Sequence, residues 1–143
     1  MNHPLRFLRT KSLLLPLAVI LLLSACSPKI VYNTSTVVPT AEGNVKVKKD
    51  KNGNFMVSTE IINLAPPQKL PNPQNLYIVW ADTPEGTKNL GQIKTAKGLL
   101  GNALKGSLAT TTTSKPTRIF ITAENDVNVT YPGNYVVLTT NNF

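Results

Sequence analysis

The sequence predicts an all-β protein, an antiparallel β-sandwich of about seven short strands, and three observations carry that prediction. Apolar and polar residues alternate in several stretches, as they do in strands with one wet face. Gly, Pro, Asn and Asp punctuate the chain between those stretches, where turns are needed. No stretch with helical spacing is free of glycine, which weakens a helix by about 1 kcal/mol per residue.

The elements follow in order. Val45 and Val47 alternate with Lys46 and Lys48, then Asp50-Lys51-Asn52-Gly53 supplies turn chemistry, because Asn and Gly accept positive φ at little cost. Phe55, Val57, Thr59 and Ile61 alternate on the return, so this is an antiparallel hairpin closed by Leu64. Pro66, Pro67, Pro71 and Pro73 forbid a ladder across the next segment, which is expected to cross between two sheets. Leu76 to Ala81 is a dense apolar run, the pattern of a central strand buried on both faces. A turn at 82–86 leads to a shorter strand carrying Leu90 and Ile93.

Residues 97–113 are ambiguous. Leu99, Leu100, Ala103 and Leu104 have helical spacing, but Gly98, Gly101 and Gly106 and the threonines favour a strand from Ala103 onward. Arg118 to Glu124 forms another strand, with Ile119 and Ile121 on one face and Phe120 and Thr122 on the other. Residues 125–134 are a loop, and Tyr135 to Thr140 a last strand. Short strands with regular turns point to an Ig-like sandwich.

The N-terminus has a different composition. Arg6, Arg9 and Lys11 precede an apolar run from Leu13 to Leu23, interrupted only by Pro16. That run is shorter than the ~20 residues needed to span a bilayer and has the length of a secretion-signal core. It ends in Leu23-Ser24-Ala25-Cys26, which resembles the lipobox of bacterial lipoprotein precursors. The resemblance implies cleavage after Ala25, with Leu23, Ser24 and Ala25 read by the signal peptidase. Cys26 would then carry lipid and join the protein to a membrane. The expected organisation is a signal peptide over 1–25, a lipidated tether over 26–41 and a β-sandwich over 42–143. Residues 27–41 are polar apart from Ile30, Val31, Val37 and Val38, and serve either as a spacer or as the source of a first strand. Ser27 is not acidic, which points to the outer rather than the inner membrane in a cell with both.

Cleavage restricts the available chemistry. His3 is the only histidine and Cys26 the only cysteine, so residues 27–143 offer neither imidazole nor thiol. Disulfides, thiolate catalysis and histidine-based triads are therefore not expected, and no cofactor or metal is. Losing Arg6, Arg9 and Lys11 leaves twelve bases against seven acids, a net charge of +5. Lys46, Lys48, Lys49 and Lys51 supply a third of those bases, either as a solvated strand face or as a surface for anionic head groups or polysaccharide. Few aromatics are present to stack bases, so no nucleic-acid partner is expected.

Carboxylates are the remaining acid–base candidates. Glu42, Asp50, Asp82 and Glu85 lie in turn-like contexts, whereas Glu124 and Asp126 flank Asn125 at a strand end. That pair could serve a hydrolase or, with Asn128, hold calcium, although the spacing matches no EF-hand. Trp80 is expected to plug the sandwich core; the alternative is that Tyr77 and Trp80 offer an aromatic contact to a glycan or protein.

The second half is similar to the C-terminal extracytoplasmic domain of the anti-sigma-K factor family. The likeness rests on Tyr77-Ile78-Val79-Trp80, Leu90-Gly91, Ile121-Thr122-Ala123-Glu124 and Pro132-Gly133-Asn134-Tyr135-Val136-Val137-Leu138. It implies a sandwich outside the cytoplasmic membrane in a sensing or binding context. The family's sigma-binding domain and transmembrane helix have no counterpart here, so inhibition of a sigma factor is not implied. The expectation is a lipid-anchored envelope protein, without enzymatic activity, that binds or senses a protein or surface polymer through residues such as Tyr77, Trp80, Glu124 and Asp126. Its rivals are a structural surface subunit or adhesin and a weak hydrolase using Glu124 and Asp126.

Overall fold

Alternating side chains and turn residues place nine antiparallel strands in two sheets in the computed structural model, which describes residues 28–98, 101 and 103–143. The expected signal peptide, with Leu23, Ser24, Ala25 and Cys26, lies outside the described residues, as do Leu99 and Leu100. The strands are β1 (Ile30–Val31), β2 (Glu42–Lys49), β3 (Phe55–Leu64), β4 (Leu76–Thr83), β5 (Gly86–Gln92), β6 (Lys94–Lys97), β7 (Leu104–Thr112), β8 (Arg118–Glu124) and β9 (Val136–Thr139). One sheet runs β1-β2-β3-β7-β6 and the other β5-β4-β8-β9. The protein is an antiparallel β-sandwich.

The β2–β3 hairpin forms where the alternation predicts it, with Val47 opposite Val57 and Val45 opposite Thr59. Asp50 closes its turn: one carboxylate oxygen accepts from the backbone N–H groups of Asn52 and Asn54, and Gly53 takes φ 87°. The proline segment crosses between sheets, making one 3-10 turn (Pro67–Lys69) on the way. The ambiguous stretch resolves as strand β7 from Leu104.

Two features raise the count above the expected seven. First, β5 and β6 are one nearly continuous run that changes sheets at Ile93. The Ile93 N–H bonds the Tyr77 carbonyl at 2.9 Å, while its neighbours on either side pair with β4 and β7. Gly91 at φ 119° and a register shift between Val79 and Trp80 allow the turn out of plane. Second, residues 30–41 do supply a first strand. Beyond β1, Tyr32, Ser35, Val38 and Ala41 are buried. This segment also closes the free side of β9, for Asn33 N–H donates to the Thr139 carbonyl and Ser35 Oγ to that of Val137. The second of these covers an edge of β9 that would otherwise invite pairing with another chain.

The inter-sheet core gathers Val45, Val57, Ile61, Leu64, Tyr77, Val79, Ile119 and Ile121. Central strand β4 is buried on both faces, as its apolar run predicts. Its alternation sends Tyr77, Val79 and Ala81 inward, so Trp80 must point the other way. The expectation that Trp80 plugs the inter-sheet core is therefore corrected: with Ile78 and Phe120 it forms a second, smaller core on the outer face of the four-stranded sheet.

Close backbone approach makes Gly43 sensitive. A Cβ there would meet the Glu60 carbonyl oxygen at 2.5 Å, and a backbone atom paired in a ladder cannot swing aside. Gly43→Ala is expected to destabilise by about 1–3 kcal/mol, read from urea unfolding followed by Trp80 fluorescence; an unchanged midpoint would refute this. Burial also holds the Tyr32 and Tyr77 phenols protonated well above their ordinary range, Tyr135 adding to the effect at Tyr77 and a hydrogen bond with Thr59 opposing it at Tyr32. Their contribution is complete below the unfolded-state value of about 10 and is lost as pH rises above it. The unfolding midpoint should fall in that range, and fall less steeply in a Tyr32→Phe, Tyr77→Phe variant than in the parent chain.

Candidate functional site

The outer core needs a cover, and the loop at 125–134 provides it. Its start is set by Glu124, the last residue of β8, whose Oε1 accepts from Thr122 Oγ1 at 2.6 Å and from the Gly133 N–H at 2.7 Å. Thr122 in turn accepts from the Trp80 indole N–H at 2.8 Å. The result is a buried chain from indole through hydroxyl to carboxylate to loop backbone, with every polar partner satisfied. Gly133 sits so close that a Cβ would lie 3.0 Å from both Glu124 carboxylate oxygens.

Other contacts fix the middle of the loop. Asn89 on β5 donates its amide to the carbonyls of Val127 (3.3 Å) and Val129 (2.9 Å), and Val129 packs against the Trp80 cluster. Asp126 Oδ1 accepts from the Asn128 N–H at 2.8 Å, a local turn that shapes the tip. Asn75 donates to the Asn125 carbonyl at 3.2 Å. At the far end of the same face Arg118 lies over Phe120 at 4.9 Å and pairs with Asp82 at 2.7 Å. Both partners of that pair are partly in water, so it contributes no more than about 1 kcal/mol.

Held this way, the loop turns some of its apolar residues outward. Tyr131 is 82% exposed, and Val127 and Val136 are also exposed. Asn125, Asn128 and Asn134 of the same loop are exposed as well. An exposed aromatic ring on a braced loop is a surface suited to recognition, since little conformational entropy is lost when such a ring is covered.

The residues singled out from sequence are dispersed by the fold. Tyr77 and Trp80 are fully buried on opposite faces of β4, and neither presents a ring to a partner; Tyr77 instead donates its hydroxyl to the Ala65 carbonyl at 2.8 Å. Glu124 is buried and committed to Thr122 and Gly133, whereas Asp126 is exposed and shapes its own turn. The two carboxylates make different hydrogen bonds, Glu124 with Thr122 and Gly133 and Asp126 with the Asn128 N–H. Among the described residues no three His, Cys, Asp or Glu side chains group as metal ligands. Sequence reasoning passed over Tyr131 and Asn89. The available signal was an aromatic residue in a polar loop, immediately before Pro132-Gly133, where no strand alternation could take it inside.

The buried chain gives a direct test. Thr122→Val keeps side-chain volume and removes both the acceptor for the indole N–H and the donor to Glu124. It is expected to destabilise by about 1–3 kcal/mol, with altered Trp80 emission and faster amide exchange at Gly133; parent-like exchange there would show that the loop does not depend on the chain. No protein-family model, curated protein or solved structure matches this protein.

Proposed function

We propose that the protein is a lipid-anchored envelope lipoprotein, without catalytic activity, whose β-sandwich binds a protein or surface polymer through the braced loop at 125–134. The observation that carries the reading is Tyr131, exposed on a loop tied down at Val127, Val129 and Gly133. An exposed aromatic side chain on a rigid support is the type of anchor that recognition surfaces use, because it offers a large contact area at little cost in conformational entropy. The Leu23-Ser24-Ala25-Cys26 motif supports the anchor. The lack of imidazole and thiol after Cys26, together with the structural tasks of Glu124 and Asp126, supports binding over chemistry. The recognised feature is one that tolerates aromatic and amide contacts, such as a sugar face or a mixed protein surface.

Crosslinking in cells tests both halves. A photoreactive residue placed at Val127 is expected to yield one dominant envelope adduct, and Tyr131→Ala to reduce it by roughly tenfold or more, since aromatic anchors carry at least about 2 kcal/mol. Equal yields with and without the Tyr131 ring would remove the loop from consideration. Cys26→Ala should abolish incorporation of labelled palmitate; continued labelling would refute lipidation at this residue.

A further inference from the structure

The two outer faces of the sandwich differ. The four-stranded sheet is covered by the 125–134 loop at one end and by Arg118 at the other, whereas the five-stranded sheet leaves its outer face open. Directly opposed residues in antiparallel strands share a face. The registers therefore set Val31, Asn44, Glu60, Ser107 and Lys94 side by side in one row across the five strands. By the same pairing Lys46 stands beside Ser58, Lys48 beside Met56, Glu42 beside Ile62 and Lys105 beside Ala96. This surface is exposed along its length, and Val31, Met56 and Ile62 are among the largest apolar side chains left in solvent, Val31 at 65%.

Charge on the face is unbalanced. Lys46, Lys48, Lys94 and Lys105 lie on it, with Lys29 bordering the cleft of about 490 Å³ that Val31 and Ile62 line, against Glu42 and Glu60. Among the described residues Arg118–Asp82 is the one ion pair, so none of these lysines is neutralised within 4.0 Å by either acid. A basic surface with scattered apolar side chains is complementary to a layer of phosphate head groups above a hydrocarbon interior.

The position of the anchor decides the occupant. Ile30 opposes Val45 and Val31 opposes Asn44, so the chain preceding β1 leads toward the stretch of β2 that bears Lys46 and Lys48. Cys26 is four residues before Ile30, a reach of at most about 14 Å when extended. Because β1 begins so early, residues 30–41 belong to the sandwich and give no long spacer. A lipid on Cys26 thus holds the domain near the bilayer by the edge of the five-stranded sheet. Lys46 and Lys48, on the strand next to β1, then lie within about two screening lengths of the headgroups, the screening length being about 8 Å at physiological ionic strength.

We propose that the open face of the five-stranded sheet docks on anionic phospholipid headgroups of the membrane that carries the anchor. This rests on lipidation of Cys26. Docked in this way, the opposite face, with Tyr131, is directed away from the bilayer.

The test is an amine-acylation footprint of the full lipidated chain in vesicles of phosphatidylcholine containing phosphatidylglycerol, compared with phosphatidylcholine alone and read by peptide mass spectrometry. Lys46, Lys48, Lys94 and Lys105 should react about fivefold more slowly on the anionic vesicles, and high salt should restore their rates. Lys88 and Lys115, away from this face, should be unaffected. A Lys46→Glu, Lys48→Glu variant should lose the protection at Lys94 and Lys105 as well. A lipidated chain with equal labelling on both vesicle types overturns the docking and leaves the anchor standing. Protection that instead tracks protein concentration without vesicles overturns it in favour of a second copy on this face. The mass of the N-terminal peptide reports the lipid separately: its absence overturns the anchor, and the same footprint on added vesicles then decides the docking alone.

Discussion

A strand with apolar side chains on both faces needs two covers, and β4 is that strand. Tyr77, Val79 and Ala81 face the other sheet, while Ile78 and Trp80 face outward. Burying a large aliphatic or aromatic side chain is worth about 1.5–3 kcal/mol, so leaving the outward set in water would forfeit much of what β4 contributes. The rest of the architecture follows from meeting that demand. The five-stranded sheet covers one side, and the 125–134 loop with Val129 and Leu76 covers the other.

Covering an indole also means satisfying its N–H. Thr122 stands across from Ile78 on β8 and faces outward with Trp80 and Phe120, within reach of the ring nitrogen. Its hydroxyl accepts from the indole and donates to Glu124, and that carboxylate then receives the loop backbone at Gly133. A carboxylate in this position would be costly if unpaired. Its two hydrogen bonds, from Thr122 and from the Gly133 N–H, make it a fastener for the loop instead, which gives a strand-end acid that resembles a catalytic candidate a structural task.

The same economy of surfaces governs the edges. At Ile93 one run of chain leaves the smaller sheet and joins the larger, and Tyr32 and Ser35 bind the larger sheet's first strand to the smaller sheet's last one. Two edges stay open, β5 and β6; the four residues of β6 include Lys94 and Lys97 and are all exposed, a composition that discourages strand addition. With the edge of β9 closed, that of β6 charged and one outer face sealed, the Tyr131 loop and the basic face behind it are left open for recognition.

Period-2 alternation was enough to mark β2, β3 and β8, and unbroken apolarity to mark β4, because these patterns depend only on which side of a local backbone each side chain takes. Turn residues at Asp50–Gly53 and the prolines at 66–73 were legible for the same local reason. The lack of histidine and cysteine after Cys26, and the lipobox resemblance, are likewise properties of the chain as written. Alternation cannot say what lies against each face, however. Whether Trp80 meets the other sheet or a loop, whether Glu124 joins Asp126 or Gly133, and whether residues 30–41 are spacer or strand all depend on contacts between residues distant in sequence. Those contacts exist only once β3, β4, β7 and β8 are in register, so the tertiary structure alone decided which residues are buried and left Tyr131 and the lysine face in solvent.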